Sequence, residues 1–268
     1  MLILFYLFYF NKEIFQTLYL VKDAYFNKYL ISLFPFILFT NILLSTNCLI
    51  DIHQFLSRRK LNFLFEYITI LLTILIGIPG NITFLNYLSD SKIISESEKR
   101  NLINCFGGIS FPFIYLVILQ ENTQKLLLIS LLITVEFIIY FLNKEKIKKE
   151  TIEYKIIQIS PINKTGYSLF LILFSLLSFS LITIPFNYIE SPFNYFLKSL
   201  IEFSYNMTFL SKINTPLSNF LLAITLSFSS LSLIFQVKLI DKNFKIINYL
   251  KKRVIITLFY ISILFLLT

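Results

Sequence analysis

Long apolar stretches separated by short basic loops decide what this chain can fold into. Residues 28–50 (KYLISLFPFILFTNILLSTNCLI) form a run long enough to cross about 30 Å of hydrocarbon. Further apolar runs occupy 61–78, 102–119, 124–142, 166–189, 216–237 and 254–267, with a moderately apolar stretch at 193–210. An earlier one, 2–21, is interrupted by Asn11, Lys12 and Glu13. It has neither a basic leading segment nor a small-residue cleavage site, and reads as a retained membrane segment. Hydrophobic residues make up 56% of the chain and charged residues 15%, against about 25% charged in an ordinary soluble domain. A water-soluble fold has no means of hiding so much Phe, Leu and Ile. The expectation is an all-α polytopic membrane protein.

The placement of charge predicts the topology. Net charge is +9, but the basic residues sit in loops between apolar runs, as cytoplasmic loops do, rather than on a polar nucleic-acid-binding scaffold. Arg58-Arg59-Lys60, the five lysines from Lys144 to Lys155, and the six basic residues from Lys238 to Arg253 mark the cytoplasmic side. Lys92, Lys99 and Arg100 belong with them, whereas 120–124 and 190–192 carry no basic residue and face out. The N-terminus and the 143–165 loop are accordingly expected in the cytoplasm of a multi-pass cell-membrane protein.

These assignments force the chain to enter and return over 61–87, in a re-entrant hairpin bending near Gly77-Ile78-Pro79-Gly80, where Gly and Pro supply turn geometry. The second half repeats the pattern upside down. Residues 166–189 cross outward, 193–213 enter and return near Thr215-Pro216, and 216–237 cross inward. Each half is then span, hairpin, span in opposite orientation, an inverted-topology repeat of the kind found in secondary transporters. The division is 1–27 as N-terminal segment and connector, 28–142 as repeat 1, 143–165 as basic linker, and 166–268 as repeat 2 with the C-terminal span. Leu64-Phe65-Glu66-Tyr67 matches Leu200-Ile201-Glu202-Phe203, and Phe106-Gly107-Gly108-Ile109-Ser110 matches Phe228-Ser229-Ser230-Leu231-Ser232.

Residues that carry chemistry fall at these interruptions. Gly107, Gly108 and Ser110, like Ser229, Ser230 and Ser232, place small or polar groups inside apolar spans. Loosened backbone there is tolerated only in a buried cavity, and half-helix N-termini suit a carboxylate. Such clusters make either a substrate cradle or a close-packing surface. Glu66 and Glu202, near the hairpin mouths, are candidates for a coupling ion or a substrate donor; the alternative is an interfacial Glu paired with a lysine such as Lys198. Glu136 lies deeper in its span without a symmetric partner. Asn206 and Gln236 are further hydrogen-bonding candidates. Cys48, Cys105 and the single His53 form no metal or redox pattern. No nucleophile–base set or phosphate loop occurs, so neither enzyme nor cofactor is expected.

In order along the chain, Leu33-Phe34-Pro35-Phe36-Ile37-Leu38, Gly77-Ile78-Pro79-Gly80, Ile94-Ser95-Glu96-Ser97-Glu98, Ser110-Phe111-Pro112-Phe113-Ile114, Leu200-Ile201-Glu202-Phe203-Ser204, Leu226 to Ser232 with Gln236, and Tyr249-Leu250-Lys251-Lys252-Arg253 resemble elements of one family. It is the sporulation integral membrane protein family of the nucleoside-recognition (gate) domain superfamily. The likeness spans roughly residues 28–268. It departs where the glycine-proline element is one residue short and lacks its final Gly-Ala, and where two glycines are Ser229 and Ser230. The resemblance implies a fold like that of concentrative nucleoside transporters and export of dipicolinate from the mother cell during sporulation. Gly77, Pro79, Gly80, Gly107, Gly108, Ser110, Glu202, Asn206, Ser229, Ser230, Ser232 and Gln236 would bind the solute. The expected partners are a small anionic or nucleoside-like solute and the lipid bilayer, with no nucleic acid; a homo-oligomer is compatible. Two other classes fit the sequence: a non-transporting membrane scaffold or assembly factor, and a subunit of an organellar respiratory complex.

Overall fold

The computed structural model describes residues 6, 9–46, 48–108, 110–115, 123–144, 160–213 and 215–267. The described residues are helical throughout, without strands. Most of the lysine-rich linker (145–159), residues 116–122, Ile109 and most of 1–8 lie outside them.

The first long helix, α1 (Asn11–Ser45), is continuous. Asn11, Lys12 and Glu13 form its first turn and do not break it, and it passes through 27 and 28 without a connector. A π-helical stretch at Tyr25–Tyr29 sits ahead of Pro35, whose missing N–H already weakens the ladder there. α2 (Cys48–Arg58), α3 (Asn62–Ile76), α4 (Gly80–Asp90) and α5 (Glu96–Phe106) follow. α6 is Thr123–Leu142 and α7 is Pro161–Ile182. The remainder comprises α8 (Phe193–Ile201), α9 (Phe203–Leu210), α10 (Pro216–Phe228), α11 (Leu231–Ile240) and α12 (Ile246–Leu267). Three helical stretches among the described residues are long and apolar enough to cross a membrane: α1, α7 and α10 with α11. α1 lies along α7, joined by Asn41 Nδ2 donating to Thr165 Oγ1 (3.0 Å) and Tyr25 O–H donating to the Leu169 carbonyl (2.9 Å).

The helices α3 and α4 form a hairpin. Ile78 N–H, just past the end of α3, donates to the Gly108 carbonyl just past the end of α5 (3.2 Å). At the other end, Glu66 near the start of α3 and Glu98 near the start of α5 both face Lys144. α3 and α5 therefore run side by side in the same direction, and α4 must carry the chain back between them. The turn is built by Gly77, at φ +66°. Ser95 caps α5 by accepting from Glu98 N–H (3.1 Å).

The second hairpin turns elsewhere than the sequence suggests. Its bend is at Glu202, which stands in extended backbone between α8 and α9. The Tyr195 and Phe209 rings, seven residues to either side, stack at 5.4 Å and close the two legs on each other. Thr215-Pro216 is instead a helix start. Thr215 Oγ1 accepts from Ser218 N–H, Ser218 Oγ accepts from Thr215 N–H, and Pro216 takes the first helical position where its missing donor costs nothing. The stretch 216–237 is likewise interrupted, at Ser229-Ser230. The run 254–267 is only the second part of α12.

A Cβ added at Gly77 would lie 2.2 Å from the Ser110 amide nitrogen, whereas one at Gly166 in α7 meets nothing within 4 Å. Gly77→Ala is expected to lower the melting temperature in detergent by several degrees, from left-handed strain of about 1–2 kcal/mol plus the backbone clash. Gly166→Ala, inside a helix, should raise stability by up to about 1 kcal/mol.

Candidate functional site

Four helix interruptions meet around one cavity: Gly77–Pro79, Gly107–Ser110, Glu202, and Ser229-Ser230. Residues flanking all of them line one small cavity of about 30 Å³: Ile74, Gly108, Phe203 and Leu226, with Glu136 from α6. The local chemistry explains why the helices stop. α5 and α10 each end on a Phe and hand over to small residues. A serine then starts the next helical segment: Ser110 Oγ accepts from Phe113 N–H (3.3 Å) and Ser230 Oγ from Leu233 N–H (3.4 Å). The second interruption is two residues shorter, so Ser110 corresponds to Ser230 and not to Ser232.

The side chain that organises this centre is Arg253 of α12, only 1% exposed. Its Nη1 donates to Glu136 Oε1 at 2.6 Å and to the Ser227 carbonyl at 3.5 Å. One turn earlier, Tyr249 O–H donates to the Gly107 carbonyl at 2.6 Å, and the guanidinium sits 5.3 Å from the Tyr249 ring centre. Nη2 points at Gly108, 3.4 Å from where a Cβ would stand. Nε and Nη2 have no hydrogen-bond acceptor among the described residues. Ser229 Oγ is also buried without a partner there, on a residue held at φ +80°.

The sequence-derived candidates divide. Gly77, Pro79, Gly80, Gly107, Gly108, Ser110, Ser229 and Ser230 all lie at the interruptions. Ser232 Oγ is 2.9 Å from Ser230 Oγ and supports that cap. Gln236 points to α7, where its Nε2 donates to Ser175 Oγ. Glu202 and Asn206 build the second bend: Glu202 Oε1 accepts from Ser204 N–H (2.8 Å), and Asn206 Nδ2 donates back to the Glu202 carbonyl (3.1 Å). Lys198 is directed to Asn187 rather than to Glu202. Glu66 and Glu202 are not equivalent, for Glu202 is at a hairpin tip while Glu66 is at a hairpin mouth, bonded to Lys144 and to Tyr140 O–H (3.0 Å). Arg253 and Tyr249 enter the sequence reading only as the ends of the Tyr249-to-Arg253 family element and not as site residues, because Lys251-Lys252-Arg253 looks like a cytoplasmic loop. A signal was present. Residues 254–267 alone make about 21 Å of helix, too short to span the bilayer, so the helix must begin earlier and carry the basic run with it.

At the outer end of α5 and α6 a larger cavity of about 310 Å³ is lined by polar residues including Glu98, Arg100, Asn104, Tyr140 and Lys252. Glu98 lies outside the apolar spans. Burial, and then the Glu66 carboxylate, push its carboxyl up to about 7 against the pull of Lys144 and the Ser95 cap. Among the described residues no cluster of three or more His, Cys, Asp and Glu side chains has metal-binding geometry. No protein-family model, curated protein or solved structure matches the chain.

Removing one member of a buried ion pair strands the other. Arg253→Met is expected to cost about 3–5 kcal/mol, and Arg253→Met with Glu136→Leu to recover most of it, as read by thermal unfolding in detergent. For Glu98 the folded state holds its proton more tightly than the unfolded chain. Its contribution is thus present in acid and lost as pH rises from about 4.5 to about 7. The Tm of the wild type should fall across that window more than that of Glu98→Gln.

Proposed function

We propose that the chain is a membrane transporter of a small carboxylate-bearing solute, which binds at the crossing of the four helix interruptions. The observation that carries this reading is Arg253: a buried guanidinium with Nε and Nη2 unpartnered among the described residues and Nη2 facing Gly108. A charge inside the apolar zone of a membrane protein is costly and tends to mark a substrate pathway. A guanidinium fork matches a carboxylate in shape and charge. In this reading α1–α6 and α7–α12 are the two inverted-topology repeats. The α3–α4 and α8–α9 hairpins are re-entrant from opposite sides, with the Lys144 side cytoplasmic.

The inner cavity is smaller than any organic solute, so binding requires the interruptions to part. Broken helices are suited to this, because no continuous hydrogen-bond ladder crosses the break. Dipicolinate, the planar dianion implied by the family resemblance, is the solute we nominate, with export during spore formation as its setting. Packing alone would account for the small residues at the breaks; it does not account for an unsatisfied guanidinium.

Protein reconstituted in liposomes should take up labelled dipicolinate. Arg253→Lys, which keeps the charge and loses the fork, should reduce uptake at least tenfold. The Arg253→Met, Glu136→Leu pair should be folded and inactive. Failure of the wild type to move dipicolinate or any simpler mono- or dicarboxylate would overturn the reading.

A further inference from the structure

The outer polar cavity and the inner one are joined by a polar stripe. On α5, Ser97, Asn101 and Asn104 recur at spacings of four and three residues, and Gly108 lies four residues further on. Ser97, Asn101 and Asn104 therefore share one face of α5, and Gly108 lies two residues past the end of that helix, at the Arg253 site. On α6, Tyr140 and Glu136 are four residues apart along the same course, and Lys144 follows two residues past the end of the helix. Ser97, Asn101, Asn104, Tyr140 and Lys144 line the outer cavity, whereas Gly108 and Glu136 line the inner one. Along α6 the two cavities are thus about one helical turn, roughly 6 Å, apart. α12 packs against both α5 and α6. It places Lys252 on the outer cavity and Arg253 on the inner site.

What separates the cavities is aromatic. The Phe106 ring packs on Tyr140 at 5.5 Å and edge-on to Phe137 at 5.3 Å, and Tyr249 is tethered to the Gly107 carbonyl. Tyr140 in turn donates to Glu66, which pairs with Lys144.

We propose that the outer cavity is an aqueous vestibule for small carboxylates, in which Lys252 and Arg100 collect the anion and the Phe106–Tyr140 ring pair closes the passage to Arg253. This rests on the transporter reading for its purpose, though not for its geometry. The charges around the vestibule are Arg100, Lys252, Lys144, Glu98 and Glu66. Glu66 neutralises Lys144. Glu98, whose carboxyl is raised to about 7, is partly protonated near neutral pH. The remaining field is positive and favours an anion.

Cysteine accessibility tests this with a control already in the chain. Cys105 is buried beside the stripe and Cys48 is partly exposed. Protein carrying only Cys48→Ser, and protein carrying Asn104→Cys with Cys48→Ser and Cys105→Ser, are reconstituted in liposomes. Both are treated with a charged, membrane-impermeant thiol reagent. The Asn104→Cys thiol should react at least tenfold faster than native Cys105, and dipicolinate or benzoate at millimolar concentration should slow it severalfold. Adding Lys252→Gln should weaken that protection. An unreactive Asn104→Cys thiol overturns the vestibule. Reaction that neither carboxylate slows overturns its assignment to anions. Labelling with protection, in protein that transports nothing, leaves the vestibule standing and defeats the transporter reading instead.

Discussion

Desolvating a guanidinium costs several kcal/mol, and Arg253 of α12 offsets part of that through partners on neighbouring helices. Glu136 supplies the counter-charge and the Ser227 carbonyl a second acceptor. Tyr249, one turn away, supplies a ring face and binds the Gly107 carbonyl. The carbonyls of Gly107 and Ser227 stand where α5 and α10 end, and ended helices expose acceptors without intrahelical donors. In an apolar medium each such group costs several kcal/mol if left alone. The buried charge and the broken helices thus answer one another. α12 acts as a strut that satisfies both breaks from a single surface.

The breaks follow from residue size and dihedral preference. Gly77 stands at φ +66° and ψ 171°, and Ser229 at φ +80° and ψ −172°. The same backbone conformation is therefore adopted by glycine in one half and by serine in the other. Glycine adopts it without strain, whereas serine does so against steric cost. At Gly77 the reason for glycine is contact as well as conformation, because the Ser110 backbone fills the space a side chain would occupy. At Ser229 the hydroxyl is retained, buried and unpartnered, where a glycine would relieve the strain.

Membrane character, helix content and the first hairpin were readable along the chain, because run length, the sign of loop charges and a Gly-Ile-Pro-Gly turn are local properties. The helix ends at Phe106-Gly107-Gly108 and Phe228-Ser229-Ser230 were readable for the same reason: helices end where small residues cluster. The second hairpin was not, since Pro216 reads equally well as a bend or as a first helical residue. Only the Thr215–Ser218 capping box distinguishes the two.

By itself the sequence determined the membrane-spanning character of the long apolar runs and the helix breaks at Gly77–Pro79, Gly107-Gly108 and Ser229-Ser230, since these follow from the order of apolar and small residues. The tertiary structure alone decided which charge matters. Arg253 looks like the end of a basic loop until α12 is seen to extend back to Ile246, carrying it 1% exposed against Glu136 of α6, 117 residues away in sequence. Likewise, only the fold separates Glu66 at a hairpin mouth from Glu202 at a hairpin tip, although four-residue matches around them look alike. Burial and partnership across such distances depend on packing, and packing is not written in the neighbourhood of any one residue.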